Sequence, residues 1–221
     1  MSGSEFPTSA RVVIVGGGII GCSVAYHLAD MGCRDVVLLE QSQLTAGTTW
    51  HAAGLMTTYG STSETSIHMR KYSRQLYARL EAETGQATGF KAVGFIEVAS
   101  SPDRLEEQRR VAAFNRFHGI DVVEISPNEV RELFPLAKVD DILAGFYTAT
   151  DGRINPVDLT MALAKGARNR GVKIIQNTPV KGVLTQRGVA TGVRTGQGDI
   201  QAEIVSNCAG MWARQFGELC G

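Results

Sequence analysis

Arg11-Val12-Val13-Ile14-Val15-Gly16-Gly17-Gly18-Ile19-Ile20-Gly21, with Glu40 downstream, is the stretch whose reading decides the fold. The β-branched run Arg11–Val15 predicts a buried strand that ends at Gly16. Gly16, Gly18 and Gly21 stand at the spacing GxGxxG. The first permits a tight turn out of the strand, the second lets backbone approach a pyrophosphate, and the third lets a helix pack close to the strand. A helix over Gly18–Met31 is expected, with Ile20, Val24, Ala25 and Leu28 facing inward and Gly32 stopping it. Its first turn, with Ile19 and Ile20, offers free N–H groups and a positive dipole end to phosphates. Asp35–Glu40 predicts a second strand, parallel to the first with a right-handed crossover. Glu40 ends that strand about 20 residues after the glycines, where a carboxylate accepts ribose hydroxyls and disfavours a 2′-phosphate. Glu40 and the adjacent Gln41 therefore join the expected contacts of an adenine dinucleotide other than NADP.

Beyond Glu40 the strand–helix rhythm breaks. Gln41–Ser63 is rich in Thr, Gly, Ser and Ala and lacks a period; so long a loop inside a domain is usually functional or flexible. Glu64–Thr84 regains helical spacing through Ile67, Tyr72, Leu76 and Leu80. Val93–Ala99 predicts a strand, Pro102–His118 a charged helix and Asp121–Ile125 a short strand. Ser126-Pro127-Asn128-Glu129 is a capping box with proline at the first helical position. Gly145–Ala149 predicts a strand and Asp151-Gly152 a turn. Pro156–Arg170 predicts a helix with Leu159, Leu163 and Ala167 inward. Strands follow at Val172–Gln176, Val180–Gln186, Val189–Thr195 and Asp199–Asn207, then a helix over Met211–Cys220. A nicotinamide-type Rossmann domain would keep alternating after its second strand, so the break tilts the dinucleotide toward FAD. The expected fold class is α/β, a Rossmann-type FAD-binding domain of the glutathione-reductase kind with an inserted mixed α+β substrate-domain segment. The expected organisation is a disordered lead over 1–10, FAD-binding parts over 11–90 and 151–221, and part of a substrate domain over 91–150.

Composition narrows the partners. Of 221 residues, 43% are hydrophobic and 20% charged, as in a globular chain rather than a disordered one. With 22 basic and 22 acidic residues there is no cationic surplus for nucleic acid. No apolar run of about 18 residues predicts a membrane span. Met1–Ala10 lacks the basic and apolar segments of a signal or transit peptide, so a cytoplasmic location is expected. Cys22, Cys33, Cys208 and Cys220 show no metal-ligand spacing and read as reduced thiols; no metal site is expected. His27, His68 and His118 read as surface or helix histidines. Trp212 reads as packing, with no catalytic role assigned.

Thr45-Ala46-Gly47-Thr48-Thr49-Trp50-His51-Ala52-Ala53-Gly54-Leu55 carries small and hydroxyl residues that can approach a pyrophosphate or ribityl chain. Read alone, His51 is an ordinary loop histidine, or alternatively a nucleophile or proton carrier. With this string, the glycine fingerprint, Glu40, Thr84-Gly85, Ser126–Pro135, Thr178-Pro179-Val180 and Asn207–Trp212, the chain resembles the dimethylglycine and sarcosine dehydrogenases of the D-amino-acid-oxidase-like flavoproteins. The resemblance runs from about Arg11 to the last residue; TTWHAAGL is its specific part and the rest is superfamily-wide.

The resemblance implies FAD bonded covalently through His51. It also implies cofactor contacts from Gly47, Thr48, Thr49, Ala53, Gly54 and Leu55, and from Val180 beside the adenine. Ala209, Gly210 and Trp212 would pass the cofactor after a strand. The implied reaction is hydride transfer from a small-molecule N-methyl amine to flavin; the residues point to no particular electron acceptor. The family continues well past 221 residues, many members with a tetrahydrofolate-binding domain, so a truncated chain is expected, and no catalytic acid or base is named. The rival reading is a non-catalytic regulatory protein on the same scaffold, like the pyruvate dehydrogenase phosphatase regulatory subunit, because a fold does not establish catalysis.

Overall fold

In the computed structural model, which describes residues 6–220, the glycine fingerprint joins the first strand to the first helix. In chain order the elements are β1 (Ser9–Val15), α1 (Ile19–Asp30), β2 (Val36–Leu39), a 3₁₀ turn (Thr48–His51), β3 (Leu55–Met56) and α2 (Glu64–Thr84). Then come β4 (Phe95–Ala99), α3 (Pro102–Phe117), β5 (Val123–Ile125), α4 (Pro127–Leu133), β6 (Ala144–Thr148) and β7 (Gly152–Arg153). The chain closes with α5 (Pro156–Asn169), β8 (Lys173–Ile175), β9 (Val180–Gln186), β10 (Val189–Thr195), β11 (Gly198–Asn207), a 3₁₀ turn (Gly210–Trp212) and α6 (Ala213–Glu218).

The chain divides into two units. The first takes the described residues of Met1–Ala53, Leu80–Thr88 and Asn155–Gly221. Its sheet runs β8-β2-β1-β11-β10-β9. β8, β2, β1 and β11 are parallel, while β10 and β9 add on antiparallel. Val12–Val15 and Val36–Leu39 are buried throughout, as central parallel strands covered on both faces must be. One face packs Val13, Val15, Val37 and Leu39 with Val193, Ile200 and Phe216. On α1 the buried residues are Gly21, Cys22, Ala25, Tyr26 and Ala29, and Ile20 is 64% exposed. Of the expected inner face, Ala25 is buried, Val24 and Leu28 are half-buried, and Ile20 is exposed. Small residues (Gly21, Cys22, Ala25 and Ala29) and one large ring, Tyr26, occupy the contact. At Gly166 of α5 a Cβ would come within 2.8 Å of the Tyr26 ring. Leu159, Leu163 and Ala167 of α5 are buried as expected.

The second unit is Gly54–Arg79 with Gly89–Ile154, so residues 54–79, expected in the first FAD-binding part, belong to it instead. It holds the antiparallel sheet β4-β6-β5 and the small pair β3-β7. Tyr59, Ala99, Val111, Ala112, Val122, Ala144 and Phe146 form its core. The capping box at Ser126 is present with both of its hydrogen bonds. Asp151 closes a turn, its N–H donating to the Thr148 carbonyl oxygen at 3.3 Å. It is fully buried, and its carboxylate accepts the Thr58 N–H (2.7 Å), the Thr58 hydroxyl (2.7 Å) and the Tyr59 N–H (3.3 Å).

Three further expectations are corrected. Ser9 and Ala10 belong to β1, paired with Gln201 and Ala202, and not to a disordered lead; residues 1–5 of that lead lie outside the described residues. Tyr72 is exposed, while Ile67, Leu76 and Leu80 are buried. The helix expected over Met211–Cys220 is a 3₁₀ turn followed by a short α-helix. Among the described residues no helix is long and apolar enough to cross a membrane.

Candidate functional site

The first unit's sheet changes direction of build at β1: β2 lies on one side, and β11, from the far end of the chain, on the other. In open α/β sheets the crevice at the carboxyl ends of such strands is where ligands bind. A cavity of about 690 Å³ opens there, within the range of small-molecule sites.

Gly16 makes the turn. Its φ is +113°, and a Cβ there would lie 2.2 Å from the Cys208 carbonyl oxygen, so the loops after β1 and β11 touch through it. A Cβ on Gly21 would lie 1.9 Å from the Gly16 carbonyl oxygen, which brings the start of α1 against the turn. Gly18 caps α1 without a side-chain bond. The Ile19 N–H donates instead to Thr49 Oγ1 at 3.0 Å. Thr49 is 7% exposed and lines the cavity, and its hydroxyl retains its own proton to donate.

Glu40 is held on both carboxylate oxygens. Oε2 accepts the Gly17 N–H at 2.6 Å and Oε1 the Ser42 N–H at 2.8 Å. Its main chain is fixed too, by Ile175 and Thr178. Each oxygen keeps a lone pair for a further donor. Beneath this loop the Cys22 thiol donates to the Gly17 carbonyl, and burial pushes its pKa up to about 12. It is a packed thiol, not a nucleophile.

Of the residues singled out in the sequence, Gly16, Gly18, Ile19, Ile20, Glu40, Gln41, Gly47, Thr48, Thr49, Val180, Ala209, Gly210 and Trp212 all line the cavity. Gly21, His51, Ala53, Gly54 and Leu55 do not. Gly21 acts from behind the wall. His51 is exposed at the end of the 3₁₀ turn, its ring 3.7 Å from that of Trp50, next to the lining residue Ala52. Gly54 and Leu55 belong to the second unit, where Leu55 pairs with Arg153. Trp212 packs its ring 3.3 Å from where a Cβ on Gly47 would stand, so the glycine makes room for the indole. Lining residues not named as cofactor contacts from the sequence are Val15, Gly17, Leu39, Ser42, Ala46, Ala52, Thr178, Cys208, Met211, Gln215, Phe216 and Leu219. A hydroxyl following the strand-end acid was the available signal for Ser42; Gln215, Phe216 and Leu219 are brought in by α6 and its C-cap.

Residues 11–221 match the model of a family described as FAD dependent oxidoreductase. The chain is 45% identical over 220 residues to mitochondrial dimethylglycine dehydrogenase of Rattus norvegicus, covering 98% of this chain and 25% of that one. It is 43% identical over 211 residues to the mitochondrial pyruvate dehydrogenase phosphatase regulatory subunit of Mus musculus, covering 96% and 24%. Among solved structures, L-proline dehydrogenase from P. horikoshii superimposes with a TM-score of 0.91 at 27% identity, covering 98% of this chain and 57% of that one. The chain thus spans about a quarter of the length of the curated relatives it matches.

Proposed function

The chain belongs to the FAD dependent oxidoreductase family, and from that premise we propose that its first unit binds FAD in the cavity and that the protein oxidises an N-methyl amino acid of the dimethylglycine or sarcosine type. The observation that carries this reading is the Glu40 carboxylate, pinned by Gly17 and Ser42 at the end of β2 in the lining of the cavity. The residues fit the group. Glu40 would take the ribose hydroxyls. The first turn of α1 and the Thr49 hydroxyl would face the pyrophosphate. Gly16 and Gly18 leave room for it, and Val180 would lie by the adenine. Bound flavin supplies the two-electron acceptor for the substrate's methyl carbon. The chain's own part is to hold and orient that group and to wall it from water with Trp212, Met211 and Phe216.

The covalent link through His51 belongs to the same proposal. It is supported by the Trp50-His51-Ala52-Ala53-Gly54 string and by the position of His51 beside a lining residue. Capture of the product by tetrahydrofolate would draw on chain length that the relatives have beyond these 221 residues. A cytoplasmic location is the expectation from the sequence; the names of the mammalian relatives carry "mitochondrial", which points the other way.

The test uses protein purified in its longest expressed form and denatured on a gel. Flavin fluorescence that stays with the wild-type band and leaves the His51→Ala band supports the link. In the His51→Ala background, where FAD would be held without a covalent bond, Glu40→Ala is expected to weaken FAD binding at least about tenfold, since hydrogen bonds to charged groups are worth roughly 1.5–3 kcal/mol. A colourless wild type would refute FAD binding. A flavin-loaded protein that turns over no N-methyl amine would favour the regulatory reading, which rests on the mouse regulatory subunit.

A further inference from the structure

Away from the cavity, three ligand-type side chains converge within the second unit. Glu64 and His68 are one turn apart on α2 and share a face. His118 caps α3 at its C-terminus. One ligand atom from each lies within 4.8 Å of the other two. The His68 and His118 rings meet edge to face at 6.0 Å between centroids. Phe114 and Phe117 hold the His118 ring at 4.5 and 5.1 Å.

We propose that Glu64, His68 and His118 form a site for a divalent transition ion of borderline softness, of the Zn2+ class. Two imidazole nitrogens and one carboxylate oxygen are too nitrogen-rich for Ca2+ or Mg2+ and suit Zn2+, Ni2+ or Cu2+. Bonds of about 2.0–2.2 Å require the donors to draw about 1 Å closer than they stand. Glu64 and His68 are exposed and have room to turn. The carbonyl end of α3 faces His118 and favours a cation there. Glu64, in the first turn of α2, supplies the negative charge that offsets that helix's positive end. Lys71 opposes the ion, but its ammonium is committed to the His118 carbonyl oxygen at 2.8 Å, leaving the ring for the metal. Three protein ligands leave the remaining coordination to water. The ion would tie the first turn of α2 to the end of α3. This inference stands apart from the FAD reading.

The experiment is a Zn2+ titration of tag-free, chelator-treated full chain against a chromogenic competitor, with thermal melts at each ratio. Wild type and His27→Gln are expected to take up about one equivalent and to melt higher with Zn2+. His68→Gln and His118→Gln are each expected to bind at least about tenfold more weakly and to show no such rise. Glu64→Gln, at an exposed position, should weaken binding in the same direction and covers the case of a His118 variant that does not fold. Uptake by wild type no greater than by the His68→Gln/His118→Gln double variant would overturn the proposal, as would equal binding by all the single variants.

Discussion

Replacing Gly21 by alanine probes the contact on which the dinucleotide site is built. A Cβ at that position would sit 1.9 Å from the Gly16 carbonyl oxygen and 3.4 Å from the Cys208 Cβ. Even short C···O contacts run to about 3.3 Å, so helix and turn must part by more than about 1 Å. The obstacle is backbone, which cannot rotate aside as a side chain would. Overpacking costs about 1–3 kcal/mol, and this case belongs at the upper end, about 3. Alanine's helix propensity returns about 1 kcal/mol. The net loss is then about 2 kcal/mol, or roughly 4–8 °C in Tm for a chain of this size. Because Gly16 and Ile19 line the cavity, the same displacement should lower FAD retention. Thermal melts followed by circular dichroism, with FAD binding measured by fluorescence quenching in the His51→Ala background where no covalent bond would hold the flavin, read both effects. Gly217→Ala in α6 is the control. A Cβ there meets nothing within 4 Å, and the variant should melt at or slightly above wild type. A Gly21→Ala protein that melts with wild type and keeps FAD would refute the reasoning.

Three other outcomes are expected. Asp151→Ala strands the Thr58 N–H, the Thr58 hydroxyl and the Tyr59 N–H in a buried setting. It should cost about 3 kcal/mol or more in urea unfolding, and a loss below about 0.5 would show that water replaces the carboxylate. In native protein treated with a thiol reagent, exposed Cys220 should react first and Cys22 only after unfolding, because burial holds its thiol up near 12; early modification of Cys22 by mass spectrometry would contradict this. Hydrogen bonds from the Arg109 guanidinium hold the Glu124 carboxyl below the usual range. Its folded value is depressed, so its contribution is present above about pH 4.3 and is lost as pH falls through the folded value. Glu124→Gln should therefore lose less Tm than wild type between neutral pH and pH 3, and an identical acid slope would remove the assignment.

What the sequence determined by itself was local. A β-branched run, three glycines at fixed spacing and an acid at the next strand's end prescribe strand, turn, helix N-terminus and carboxylate, because each acts over one or two turns of chain. Ser126 and Glu129 cap α4 for the same reason. Of the lining residues, Gly16, Gly18, Ile19, Ile20, Glu40 and Gln41 were legible from these signals and Gly47, Thr48 and Thr49 from the small and hydroxyl string after β2, while Val180, Ala209, Gly210 and Trp212 came only through the family resemblance. Tertiary structure decided the rest. Ile20 faces the cavity and Ala25 the interior. Asp151 reads as a turn residue, yet it is a buried hub whose partners lie more than ninety residues earlier in the chain. Glu64 and His68 look like surface polar residues until α3 brings His118 beside them. Contacts between residues so distant in sequence leave no local period, and only the folding of the elements against one another creates them.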